Sequence, residues 1–168
     1  NAITLNDVAN SSSLTLSNAG TITAAEGYSA ISSSGYYAEI ANSGTITGDI
    51  DLGSVADSFV SLNGGTVEGN IQMGDFTQTV IFNGGNLDNG TVNGGGTVRI
   101  DVDTVLSGSI GDVIAVGLLQ ISDDADFSLS SGSRSVTADK ITIGSGASLT
   151  INYQDLSTPE IDGASAFS

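Results

Sequence analysis

Asn42-Ser-Gly-Thr-Ile-Thr-Gly-Asp-Ile-Asp-Leu-Gly53 is followed 21 residues on by Asn63-Gly-Gly-Thr-Val-Glu-Gly-Asn-Ile-Gln-Met-Gly74. Apolar residues meet apolar residues and glycines meet glycines along the whole alignment. The same opening unit stands earlier as Asn18-Ala-Gly-Thr-Ile22 and later as Asn83-Gly-Gly-Asn-Leu87, so the asparagine steps are 24, 21 and 20 residues. Self-similarity at a fixed period of this length is the signature of a repeat architecture, and it governs how everything else is read. Phe59-Val-Ser-Leu-Asn63 superimposes on Thr79-Val-Ile-Phe-Asn83 at an offset of 20. Further along, Leu119-Gln-Ile121 and Ala125-Asp-Phe-Ser-Leu129 superimpose on Ile141-Thr-Ile143 and Ala147-Ser-Leu-Thr-Ile151 at an offset of 22. Stepping back 21 from Leu119 reaches Val98-Arg-Ile100, with Leu106 matched to Phe127.

Within each unit the apolar residues alternate, as in Ile50/Leu52, Val60/Leu62, Ile71/Met73 and Val80/Phe82. That is the period of strands with one buried face. Gly, Asn and Ser separate the runs and supply the turn conformations. An antiparallel meander with Asn-Gly hairpins is one way to use such strands. A parallel β-solenoid is the other, and it alone explains the recurring asparagines, because equivalent positions stack about 4.8 Å apart. The sequence therefore predicts an all-β parallel β-helix with coils of about 20–24 residues, seven or eight in all. Asn18, Asn42, Asn63 and Asn83 are expected to form one side-chain ladder. Residues 1–156 read as a single β-helix, with clear repeats over 14–107 and 119–153. Residues 108–118 read as an insertion or cap, and residues 157–168, which include Pro159, as an exit segment or arm.

Composition narrows the chemistry. The 168 residues include 19 Asp plus Glu against three Lys plus Arg, no His and no Cys, for a net charge of −16. Ser, Gly, Thr and Asn (25, 23, 16 and 12) make up nearly half the chain. Triads built on an imidazole, thiol nucleophiles, disulfides and the usual zinc sites are excluded. Nucleic acid is not expected as a partner, since Arg99, Arg134 and Lys140 are the only cations. No apolar stretch is long enough to span a bilayer as a helix, so any membrane attachment needs a segment this chain lacks. The N-terminus has no signal-peptide pattern, which reads as a mature or excised piece.

The Asn-x-Gly-Thr-Ile/Val unit followed by Gly-Asp-Ile-x-Leu-Gly resembles the passenger domains of Gram-negative autotransporter (type V secretion) adhesins. The resemblance covers residues 18–100 and, through the Ile141–Ile151 unit, 119–153. It implies that the parallel β-helix is right-handed, and that the chain is a non-enzymatic rod that is secreted or sits on the bacterial cell surface, and contacts a host or cell-surface receptor or glycan. The alternative is a self-assembling subunit of a filament or surface layer, joined end to end or laterally with copies of itself by strand addition.

Three local features are candidates for chemistry. Asp49 and Asp51 alternate along one run, Asp57 falls in Leu52–Phe59, which looks like a worn form of a calcium-binding repeat, and the three would offer oxygens to that cation. Their plainer reading, which is preferred, is solvated surface opposite Ile50 and Leu52, with no cofactor. A carboxylate pair for polysaccharide cleavage and an ice-binding Thr strip (Thr21/Thr23, Thr45/Thr47) are less favoured. Tyr28, Tyr36 and Tyr37 cluster in the longest coil and are a candidate contact loop.

Overall fold

Each short alternation between glycine-bearing corners becomes one strand. The computed structural model describes residues 3–5, 14–33, 37–54, 57–74, 77–106, 113–129 and 135–151. After β1 (Ile3–Leu5), the first coil consists of β2 (Leu14–Asn18), β3 (Thr21–Thr23) and β4 (Ser29–Ser33). The second has β5 (Ala38–Asn42), β6 (Thr45–Thr47) and β7 (Asp49–Asp51); the third has β8 (Phe59–Asn63), β9 (Thr66–Glu68) and β10 (Ile71–Gln72). Next come β11 (Thr79–Asn83), β12 (Asn86–Asp88) and β13 (Val92–Ile100), then β14 (Thr104–Leu106) and β15 (Val113–Ile121). The last are β16 (Asp126–Leu129), β17 (Ser135–Ile143) and β18 (Ser148–Ile151).

Every pairing between these strands is parallel, which rules out the meander. The described residues form a β-solenoid of about 6 turns with coils of about 21 residues, and none of them lies in a helix. The repeat implies seven or eight coils; the terminal segments do not add complete ones among the described residues. One face is the ladder β1-β4-β7-β10 and a second is β2-β5-β8-β11. Both join the nine-residue β13, which turns the corner as one strand and is followed by β15 and β17. The third face carries β3-β6-β9-β12 and then β14-β16-β18.

Apolar columns fill the interior. Ile31, Ile50, Ile71, Val92 and Ile114 stack along one wall, and Ile40, Val60, Val80, Val98 and Leu119 along another. Ile46, Val67 and Leu87 complete the third. All are buried in one continuous core. Each such side chain contributes roughly 1.5–3 kcal/mol on leaving water, so no single coil dominates.

Three expectations need correction. First, the four asparagines do not form one ladder. Asn18 pairs with Asn42, but Asn42 stands opposite Leu62, not Asn63. Asn63 then pairs with Asn83, one position further along and on the outer surface. The sequence step of 21 conceals a true register of 20, and one residue reverses the face of a strand. The third coil makes up the difference with an extra corner residue, Gly64, at φ 77°; Gly84 repeats this at φ 76°.

Second, residues 113–118 are not an insertion. They lie in β15, paired with both β13 and β17. The offset to β13 changes from 22 at Val92/Ile114 to 21 at Val98/Leu119, across an irregularity between Gly94 and Thr97. That change puts the segment out of step with the repeat. Third, Phe127 stands opposite Thr104, not Leu106, which pairs with Leu129. The slip of two keeps the alternation intact and so is invisible to hydrophobic pattern. The exit segment 157–168 and residues 107–112 lie outside the described residues.

Candidate functional site

The polar residues of the outer surface fall into columns that tie one coil to the next. Asp49 Oδ1 accepts from the backbone N–H of Asn70 at 2.8 Å and from its Nδ2 at 3.0 Å. Asn70 Oδ1 in turn accepts from Thr91 N at 3.0 Å and Oγ1 at 2.8 Å. The same device recurs towards the C-terminal end. Asp101 accepts from Ser122 Oγ at 2.8 Å, Asp103 from Asp126 N at 3.0 Å, and Asp123 from Ser145 N at 2.9 Å. Asp126 accepts from Ser148 Oγ. Each carboxylate bonds to the coil that follows it in sequence. Bonds of this kind are stronger than neutral ones.

Sequence reading misses these brackets, although a signal is present. Asp101/Ser122, Asp123/Ser145 and Asp126/Ser148 recur at 21 or 22 residues, the coil length itself. Gln78 is likewise unmarked by the repeat. It is buried, accepts from Gly74 N at 2.7 Å and donates to Gly53 O at 3.1 Å, closing a corner.

Asn18 and Asn42 occupy a buried corner, with Asn18 Nδ2 donating to Asn42 Oδ1 at 2.8 Å. Each also clasps its own turn: Gly20 N donates to Asn18 Oδ1, and Gly44 N to Asn42 Oδ1. On the surface, Asn83 Nδ2 donates to Asn63 Oδ1 at 3.1 Å.

The calcium candidates do not converge. Asp49 and Asp51 flank the buried Ile50 on β7, and Asp51 Oδ1 is held by Gly53 N at 2.9 Å. Asp57 lies on an exposed corner at φ 69°, with its backbone N–H donating to Thr77 Oγ1 at 3.1 Å. Among the described residues no three acidic side chains are grouped to hold a metal ion. Of the tyrosines, Tyr28 is 62% exposed on the corner after β3. Tyr37 is half-buried, its ring edge-on to Phe59 at 6.1 Å between centroids. Tyr36 lies outside the described residues.

One ion pair stands on the outer side of β13. Arg99 Nε and Nη2 donate to the two oxygens of Asp101, each at 2.7 Å. These bonds hold the Asp101 carboxyl below its ordinary range, outweighing partial desolvation, with help from the Ser122 hydroxyl and the guanidinium charge. Arg99 is correspondingly pushed up, chiefly by its bonds to Asp101.

The last described coil is the most distinct surface. Among the described residues β17 pairs only with β15, so one edge of its nine residues has no strand beside it. Ile141 and Ile143, whose equivalents Leu119 and Ile121 are buried, are each 38% exposed. An edge with unpaired N–H and C=O groups over apolar side chains is a template for further strands. No known protein family, curated protein or solved structure matches the chain.

Proposed function

We propose that this β-solenoid is a non-enzymatic, extracellular structural and adhesive rod, part of an autotransporter-type surface adhesin. One observation carries the reading: the outer carboxylates and amides bind neighbouring coils to one another, as in Asp49–Asn70–Thr91 and Asp101–Ser122. Such side chains stiffen a rod, and a carboxylate held by the next coil is poorly placed for acid–base work. Exposed features such as Tyr28 would then supply the contact with a receptor or glycan. Beads coated with the protein are expected to adhere to cells or immobilised glycans, and Tyr28→Ala to weaken that adhesion. Hydrolysis of acidic polysaccharides by the parent protein would overturn the non-enzymatic reading.

A second reading, the self-assembling subunit, rests on Ile141 and Ile143 in the last described strand of their ladder. Sizing and negative-stain microscopy at raised concentration should then show fibres. Replacing both residues by Lys should abolish them. A parent that stays monomeric at every concentration counts against assembly.

A further inference from the structure

Four Asn-Gly steps stand in this chain: 63–64, 83–84, 89–90 and 93–94. Glycine after asparagine leaves the asparagine side-chain carbonyl open to attack by the next backbone nitrogen, because no Cβ shields it. Reaction needs two things: a side chain free to swing and a glycine N–H not already committed.

The structure separates two steps whose corners are otherwise alike. Asn63 and Asn83 are both exposed, and each is followed by an exposed glycine in the left-handed region. Asn63 is held at both requirements. Its Oδ1 accepts from Ser61 Oγ at 2.8 Å and from Asn83 Nδ2 at 3.1 Å. The nitrogen that would attack it, Gly64 N, donates to Asn83 O at 3.1 Å. Among the described residues, the Asn83 side chain is held only by the bond from its own Nδ2. Gly84 N makes no hydrogen bond among the described residues. A side chain added at Gly84 would meet nothing nearer than Val102 Cγ2 at 3.9 Å, so the corner is open. Asn93 differs again, because Gly94 lies inside β13.

We propose that Asn83 is a site of spontaneous deamidation, ahead of Asn63. Gly84 N attacks Asn83 Cγ, forming the C–N bond of a succinimide. The bond from Cγ to Nδ2 breaks, and ammonia leaves with the proton from Gly84 N. Water then opens the ring, leaving at this position an aspartate or its β-linked isomer, so the only co-reactant is water. The consequence is local. Conversion removes the donor to Asn63 Oδ1 and puts a carboxylate beside that oxygen. The isomer also lengthens the backbone by one carbon between β11 and its corner. Either product adds negative charge to a chain already at −16.

The test is peptide mapping by mass spectrometry of the folded protein incubated in mildly alkaline buffer, beside the same protein unfolded in urea. In urea the four steps should convert at similar rates. In the folded protein Asn83 should convert several-fold faster than Asn63, and Asn83→Gln should remove that product while circular dichroism stays that of the parent. Conversion of Asn63 as fast as Asn83 would overturn the proposal. So would a silent Asn83 in the folded protein while the unfolded one reacts.

Discussion

Replacing Asn42 by Ala should cost far more stability than replacing Asn63, although both open the same repeat unit. Asn42 is fully buried and makes four side-chain bonds. It donates to Gly44 O at 3.2 Å and Thr66 O at 3.1 Å, and accepts from Asn18 Nδ2 at 2.8 Å and Gly44 N at 3.3 Å. Several of these partners keep a second bond, because Gly44 N also donates to Asn18 O and Asn18 Nδ2 to Thr45 O. The cost is therefore set by net bond values of about 0.5–1.5 kcal/mol each, not by full penalties for orphaned groups. Four bonds at the lower part of that range, with some allowance for the vacated space, give about 3 kcal/mol. Asn63 is exposed, and its truncation should cost no more than about 0.5 kcal/mol. Urea unfolding followed by far-UV circular dichroism separates the two. For slopes of about 1–3 kcal/mol/M, Asn42→Ala should lower the midpoint by about 1–3 M, and Asn63→Ala should barely move it. Equal shifts would refute the division into a buried and a surface pair. An Asn18→Ala/Asn42→Ala double variant should cost less than the sum of the two singles, since they share a bond.

Other outcomes follow from the same packing. A Cβ at Gly90 would overlap the carbonyl oxygen of Gly69 in the adjacent coil, so Gly90→Ala should cost more than about 3 kcal/mol or prevent folding. Gly64 has open space around it but φ 77°, so Gly64→Ala should cost only about 1–2 kcal/mol, which thermal melts would resolve. The Arg99–Asp101 pair gives a signed pH dependence. Because the folded Asp101 carboxyl titrates below its usual value of 3.8, its stabilisation is present above that pH. It is lost as pH falls through the folded value. Arg99→Gln should weaken the protein at neutral pH by less than about 1 kcal/mol, the pair being part-exposed and screened, and should flatten the acid limb of stability against pH.

Parallel strands, the coil length and the apolar columns are legible in the sequence because they rest on alternation and recurrence. Ile50/Ile71 and Leu119/Ile141 pair as the offsets of 21 and 22 require. Registers that change at a corner are not legible. Asn63 resembles Asn42 in its neighbours, yet an additional left-handed glycine moves it from the interior to the surface. Leu106 and Phe127 are both apolar, so a slip of two residues leaves no trace in the pattern. The inter-coil brackets are hidden for a different reason. Asp101 and Ser122 are unlike residues, and a search for likeness at the repeat length passes over donor–acceptor pairs. Ile141 and Ile143 have the pattern of ordinary core positions, and only their place in the last described coil makes them surface.

The whole architecture depends on residues one coil apart being stacked in parallel, rung upon rung. Ser17, Ala41, Ser61, Ile81, Arg99, Gln120 and Thr142 form one outward column of six steps. The chain has no cysteine, so pairs of spin labels can be placed on introduced cysteines without background. At about 4.8 Å per step, labels at Ser17 and Thr142 should lie about 29 Å apart, and labels at Ser61 and Thr142, four steps apart, about 19 Å. Parallel stacking requires narrow distributions whose means grow in proportion to the number of steps. Distances that fail to scale with the step count would show that the coils are not stacked in this way.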